Sequence, residues 1–114
     1  SGQSEREWLV LRDSEDRVLV YSMNDGTLRH RFFGSHAAIN PRRNMLVVEN
    51  FPGDVALYNL DSGDKLTDFR LNGSLAFSRF SLDGNRLFLF SDSQVGYGID
   101  LTRIPIQVKK PIAF

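Results

Sequence analysis

The sequence predicts an all-β fold built from repeated antiparallel sheets, and three observations carry that prediction. The first is internal repetition. Sliding the chain so that Val18 falls on Val55 lays Glu7–Phe33 on Asn44–Arg70 without a gap, with Leu9/Leu46, Val10/Val47, Tyr21/Tyr58, Gly26/Gly63 and Phe32/Phe69 also identical. A further shift that carries Asn44 onto Asn85 lays Ile39–Glu49 on Phe80–Phe90. The second is spacing: short apolar runs recur along the chain, separated by Asn24-Asp25-Gly26, Pro52-Gly53-Asp54, Asp61-Ser62-Gly63-Asp64 and Asp83-Gly84-Asn85. Asp-Gly and Asn-Gly supply the positive φ that tight hairpins require at low steric cost. The third is the lack of any stretch that sustains a helical apolar period over three turns, so no long helix is expected.

Repeats of roughly 20–50 residues mark arrays of one supersecondary unit, each burying its face against the next. Here the unit is strand and turn. Trp8–Leu11, Val18–Tyr21 and Arg31–Phe33 supply the last three strands of a first unit, since nothing apolar precedes Trp8. Ala37–Asn40, Met45–Asn50, Val55–Leu60 and Leu66–Leu71 form a complete second unit. Leu75–Phe80, Leu87–Phe90 and Val95–Leu101 begin a third, and Ile104–Val108 is its candidate fourth strand, confined to an edge by Pro105. Val55–Leu60 alternates in polarity, whereas Leu46-Val47-Val48 and Leu87-Phe88-Leu89-Phe90 are apolar at every position and read as strands covered on both faces. The two patterns together favour stacked blades over a lone sandwich. The expected architecture is a partial β-propeller of roughly three four-stranded antiparallel blades in one region, 1–114, divided as residues 7–34, 35–72 and 73–114. Tyr21 and Tyr58 are expected at equivalent, covered positions in the third strand of successive blades.

Composition excludes more than it assigns. Fourteen basic and fourteen acidic side chains cancel among 114 residues, so bulk charge makes no case for nucleic acid or an anionic membrane. No cysteine is present for a disulfide or a thiolate site. The apolar runs fall far short of the ~20 residues of a membrane helix. Ser1-Gly2-Gln3-Ser4 has no apolar signal stretch, and the chain is expected to be a segment of a longer protein.

Phe80-Ser81-Leu82-Asp83-Gly84-Asn85-Arg86-Leu87 resembles the F-S-x-D-G-x-x-L hairpin of WD-repeat and related bacterial propellers. Val55–Gly63 and Val18–Gly26 each resemble the V-x-L-W-D-L-x-T-G strand and turn of that family, and Gly34-Ser35-His36 stands where it often carries Gly-His. The chain departs from the pattern: Tyr21, Tyr58 and Tyr97 replace the family Trp, and Ser22, Asn59 and Gly98 replace its Asp. The buried Trp–Ser/Thr–His–Asp network of strict WD repeats therefore cannot form. The resemblance implies the propeller fold and carries no catalytic residue across.

No constellation for chemistry stands out. His30 and His36 match no zinc spacing, and are expected as an outward strand residue and a loop or turn residue. The acidic clusters lie in turns, where backbone hydrogen bonding already accounts for Asp. Ser35 beside His36 is adjacency without a nucleophile elbow, Gly96-Tyr97-Gly98 lacks the rest of a phosphate loop, and Asn72-Gly73-Ser74 reads as a hairpin-like turn. The expected function is non-catalytic: a module that binds a protein or ligand, or itself through blade faces and edges, with no catalytic residues, metal or cofactor. His36, Arg42, Arg43 and Arg79 are the candidate binding residues in the connections. The alternative is a segment accessory to a hydrolase or peptidase whose catalytic residues lie elsewhere. Fewer than three closed blades leave outer faces open, and Trp8, Val10, Phe88 and Phe90 are the residues expected there.

Overall fold

Each apolar run becomes one strand because its neighbours are turn residues whose backbone cannot continue the ladder. The first three strands are β1 (Trp8–Arg12), β2 (Arg17–Ser22) and β3 (Leu28–Phe33), which pair in that order as sheet 1. Sheet 2 is β4 (Ser35–Asn40), β5 (Met45–Phe51), β6 (Asp54–Asn59) and β7 (Lys65–Arg70). Sheet 3 is β8 (Leu75–Phe80), β9 (Arg86–Ser91) and β10 (Val95–Asp100), with two short strands, β11 (Gln107–Val108) and β12 (Ile112–Ala113), both paired to β10. This computed structural model describes residues 7–103 and the backbone of residues 107–108 and 112–113. Every pairing is antiparallel, and no helix occurs among the described residues. The all-β architecture of successive antiparallel sheets is thus as the sequence predicts. Among the described residues sheet 1 has three strands, and β1 pairs with β2 alone.

Strand alternation sorts side chains to opposite faces, and the register shows where each face goes. In sheet 1, Val10 pairs with Val20 and Trp8 with Ser22, and these residues face sheet 2. Sheet 2 answers with Leu46, Val48 and Leu60, all fully buried. From its other face Val47, Val55 and Leu57 pack with Leu87, Leu89 and Ile99 of sheet 3. The all-apolar run Leu46-Val47-Val48 is therefore covered on both sides. The run Leu87–Phe90 is not: Leu87 and Leu89 are buried against sheet 2, while Phe88 is 43% exposed on the outer face.

Several expectations are corrected. Trp8 and Val10 belong to the junction with sheet 2, and Leu9 and Leu11 occupy the open face of sheet 1 in their place. His30 is half-buried in the same junction, with its ring between those of Trp8 and Phe32 and Nε2 in hydrogen-bonding contact with the Leu60 carbonyl. His36 lies within β4, at a bulge between Ser35 and Ala38, with φ 53°. Asn72-Gly73 is the crossing from sheet 2 to sheet 3, not a hairpin. Tyr21 pairs with Leu9 and Tyr58 with Leu46, so the two are equivalent, though each is only half-buried. Tyr97 pairs with Leu89, and Ile99 takes the place that Tyr58 holds in sheet 2. In the candidate fourth strand Ile104–Val108, only the backbone of Gln107–Val108 is among the described residues, and it pairs with Ile99–Asp100.

Candidate functional site

The first strands of sheets 2 and 3, β4 and β8, run beside each other. They form the hub from which the sheets fan out. The connections consequently collect at two ends. Hairpins after each first and third strand lie at one end, where the Asn44 amide reaches the Asp61 carboxylate (3.4 Å). Crossings between sheets and the middle hairpins lie at the other, where the Ser74 amide donates to Asp92 (3.0 Å).

At the hairpin end the turns of sheets 2 and 3 are tied together. Arg42 Nε donates to the Leu82 carbonyl (3.0 Å), Arg43 Nη2 donates to Asn85 Oδ1 (2.8 Å), and buried Asn40 donates to the Gly84 carbonyl (2.9 Å). Gly84 has φ 78°, and a Cβ there would lie 2.8 Å from that of Arg42. A glycine therefore permits this approach of the two turns. The sequence predicts a tight turn at Asp83-Gly84, but only the neighbouring turn explains the need for space. Ser81 Oγ and the Asn85 amide both donate to Asp83 (2.7 and 3.0 Å), which holds its carboxyl below the usual range.

Between β4 and β8 runs a groove of about 430 Å³, edged by Arg42, Arg79, Phe80, Pro41 and Leu82. Its lining contains two arginines and no carboxylate. Leu82 is 88% exposed at its rim. Arg79 pairs with Phe88 across the ladder, so its side chain leaves on the outer face of sheet 3 beside the groove. The four candidate binding residues thus separate. Arg42 and Arg79 border one groove, Arg43 braces the turn beside it, and His36 lies at the opposite end of β4.

The His36 end contains a residue that sequence reasoning passed over. Glu49 is buried, and its Oε2 accepts from the backbone amides of Gly53 (2.9 Å) and Leu75 (2.7 Å), so one carboxylate joins sheet 2 to the start of sheet 3. Its Oε1 lies 3.1 Å from His36 Nδ1, and Ser35 Oγ lies 3.1 Å from that same nitrogen. A Ser–His–acid relay needs the hydroxyl on one ring nitrogen and the acid on the other. Here both converge on Nδ1, which is not a relay. The available signal was a lone Glu ending the apolar run Leu46-Val47-Val48. The Phe33 and Phe51 rings meet at 5.2 Å between centroids, tilted by 45°, beside a cavity of about 240 Å³ at this end. Among the described residues no group of three or more potential ligands is placed to hold a metal ion, and no helix is long and apolar enough to cross a membrane.

No protein-family model and no curated protein matches the sequence. Solved structures do match in fold. The WD40 domain of Toxoplasma gondii coronin superposes with a TM-score of 0.71 at 17% identity, over 93% of this chain and 30% of that one. The β-propeller domain of Myceliophteria thermophila Cps50 (Swd1) gives 0.67 at 10% identity, over 90% of this chain and 35% of that one. The chain therefore has the fold of WD40-type propeller blades and spans about a third of the length of these matched chains.

Proposed function

We propose that this chain is a non-catalytic propeller segment that binds a protein partner, taking an acidic, partly apolar peptide along the groove between β4 and β8. The observation that carries the reading is the groove itself, with Arg42 and Arg79 on its edge and no carboxylate in its lining. Guanidinium groups bind carboxylates with forked, directional hydrogen bonds, and the exposed Leu82 offers an apolar contact at the rim. The shared use of His36 Nδ1 by Ser35 and Glu49 supports a site without catalysis. Self-association through the uncovered outer sheets is the second interaction we assign, because Leu9, Leu11 and Phe88 are more than two-fifths exposed on sheet faces that are covered elsewhere in the chain.

Fluorescence anisotropy with a labelled peptide of alternating Glu and Leu residues tests the groove. The chain should bind it, and the R42E/R79E double variant should lose affinity by about tenfold or more, as expected for reversed charges in an interface. Equal affinity of the two proteins, or no binding by either, overturns the reading.

A further inference from the structure

The two open sheet faces are the repeats of faces that already meet inside the chain. On the outer face of sheet 1 lie Leu9, Leu11 and Tyr21. The repeat places them at the positions of Leu46, Val48 and Tyr58, with which sheet 2 receives sheet 1. On the outer face of sheet 3 lie Arg86 and Phe88, at the positions of Trp8 and Val10, with which sheet 1 docks on sheet 2. One end of the chain thus presents a receiving face and the other a docking face of the same design.

The polar residues at the margin of these faces match as well. Where sheet 1 meets sheet 2, Trp8 Nε1 donates to Asn44 Oδ1 at 3.1 Å. On the open faces the corresponding residues are Arg86, in the place of Trp8, and Glu7, in the place of Asn44. Both are exposed. A neutral donor–acceptor pair inside the chain is replaced by a cation on the docking face and an anion on the receiving face. That charge complementarity favours a second copy of this chain as the occupant.

We propose that the chain associates head to tail with a second copy, the outer face of sheet 3 resting on the outer face of sheet 1, with Arg86 of each copy paired to Glu7 of the other. The proposal rests on the self-association assigned above and specifies its contact. Head-to-tail contacts close into a ring when the rotation permits and otherwise propagate as filaments. Propellers typically close with about 4–8 blades. Two copies supply six sheets, whereas three would supply nine, so the expected assembly is a two-fold ring. Contact at these faces would cover Leu9, Leu11 and Phe88, and uncovered apolar patches of this kind are characteristic of interfaces.

Charge reversal with rescue tests the pairing, read by light scattering coupled to size exclusion at micromolar concentration. The unaltered chain should elute at about twice the mass of one copy. R86E and E7R should each weaken association by about tenfold, equivalent to ~1.4 kcal/mol, and the E7R/R86E double variant should recover most of it. An equimolar mixture of the two single variants should recover association, because in each mixed pair the R86E substitution meets the E7R substitution and the unaltered Arg86 meets the unaltered Glu7. Both residues are exposed, and retention of the strand signal in circular dichroism verifies that each variant is folded. A monomer for the unaltered chain overturns the proposal, as do single variants that associate normally. Failure of the double variant to recover also overturns it, and is the result expected of a face that pairs with its own copy. Arg79 shares the outer face of sheet 3 with Phe88, so peptide binding is also compared through R42E alone, in the turn after β4, and the groove and the ring fail separately.

Discussion

The two junctions between sheets are built from the same repeat, yet they are held differently. Where sheet 1 meets sheet 2, aromatic rings do much of the covering: Phe32 and Tyr58 lie 4.1 Å apart between centroids, and Trp8 and His30 flank them. The polar ties there are partly exposed side chains, Trp8 to Asn44 and His30 to the Leu60 carbonyl. Where sheet 2 meets sheet 3, more of the described residues are buried, eleven against five, and the polar ties come from buried side chains. Glu49 accepts from Leu75, the Tyr97 hydroxyl accepts from the Asn72 amide (2.8 Å), and Asn40 donates to the Gly84 carbonyl. The difference follows from the first strand. Among the described residues sheets 2 and 3 each have one, β4 and β8, whose edges run together, and sheet 1 shows none.

The largest effect that would sharpen this comparison comes from Leu57, fully buried between sheets 2 and 3. Leu57→Ala should reduce stability by about 2–5 kcal/mol in urea unfolding, the range for buried leucines. A loss below about 1 kcal/mol would show that this junction is not the better packed one.

A comparable loss is expected from the buried polar tie, and a smaller one from the partly exposed tie. Glu49→Leu removes the acceptor from two backbone amides, at about 1–3 kcal/mol for each donor left buried and unpaired. Trp8→Phe removes one partly exposed hydrogen bond and should cost only about 0.5–1.5 kcal/mol. Unfolding midpoints of the two variants decide the point, and equal losses would remove the contrast between the junctions.

The smallest effect lies at the edge of sheet 1. Hydrogen bonds from the Thr27 hydroxyl and then the Thr27 amide, with Arg29 nearby, lower the Asp25 carboxyl from 3.8 to about 2. A carboxyl with a depressed folded value contributes stability that is fully present above its unfolded pKa and is lost as pH falls through the folded value. The contribution should therefore be intact above about pH 4 and gone below about pH 2. A proton titration of the Asp25 side chain followed by NMR should show a midpoint near 2, and a midpoint near 3.8 would contradict the turn geometry.

Much of the fold is legible in the sequence because strand polarity and turn chemistry are local. The paired coverage of Leu46-Val47-Val48 and the turns at Asp61-Ser62-Gly63 and Asp83-Gly84 follow from neighbouring residues alone. Facing direction is less legible. Trp8 and Leu9 are both apolar, and only the neighbouring sheet determines which of them it covers. His30 reads as an outward residue because the Leu60 carbonyl that receives it is distant in sequence. For the same reason Arg42 and Arg79 are recognisable singly, while the groove they share requires the approach of β4 to β8. Glu49 was the least legible, since both amides that it accepts from belong to other strands or turns.

Sheet 2 contributes to both apolar clusters, and the principal inter-sheet contacts all pass through it. The chain is therefore a short one-dimensional array in which each unit is coupled to its nearest neighbour. In such an array the middle unit has no independent route to unfolding, because releasing it uncovers both partners at once. The terminal units can open singly. Amide hydrogens of β5 and β6 should consequently exchange with solvent only when the whole molecule opens, while those of β1 escape through a local, less costly event. The protein's persistence is thereby set by its middle sheet, and sheet 1 behaves as a replaceable end.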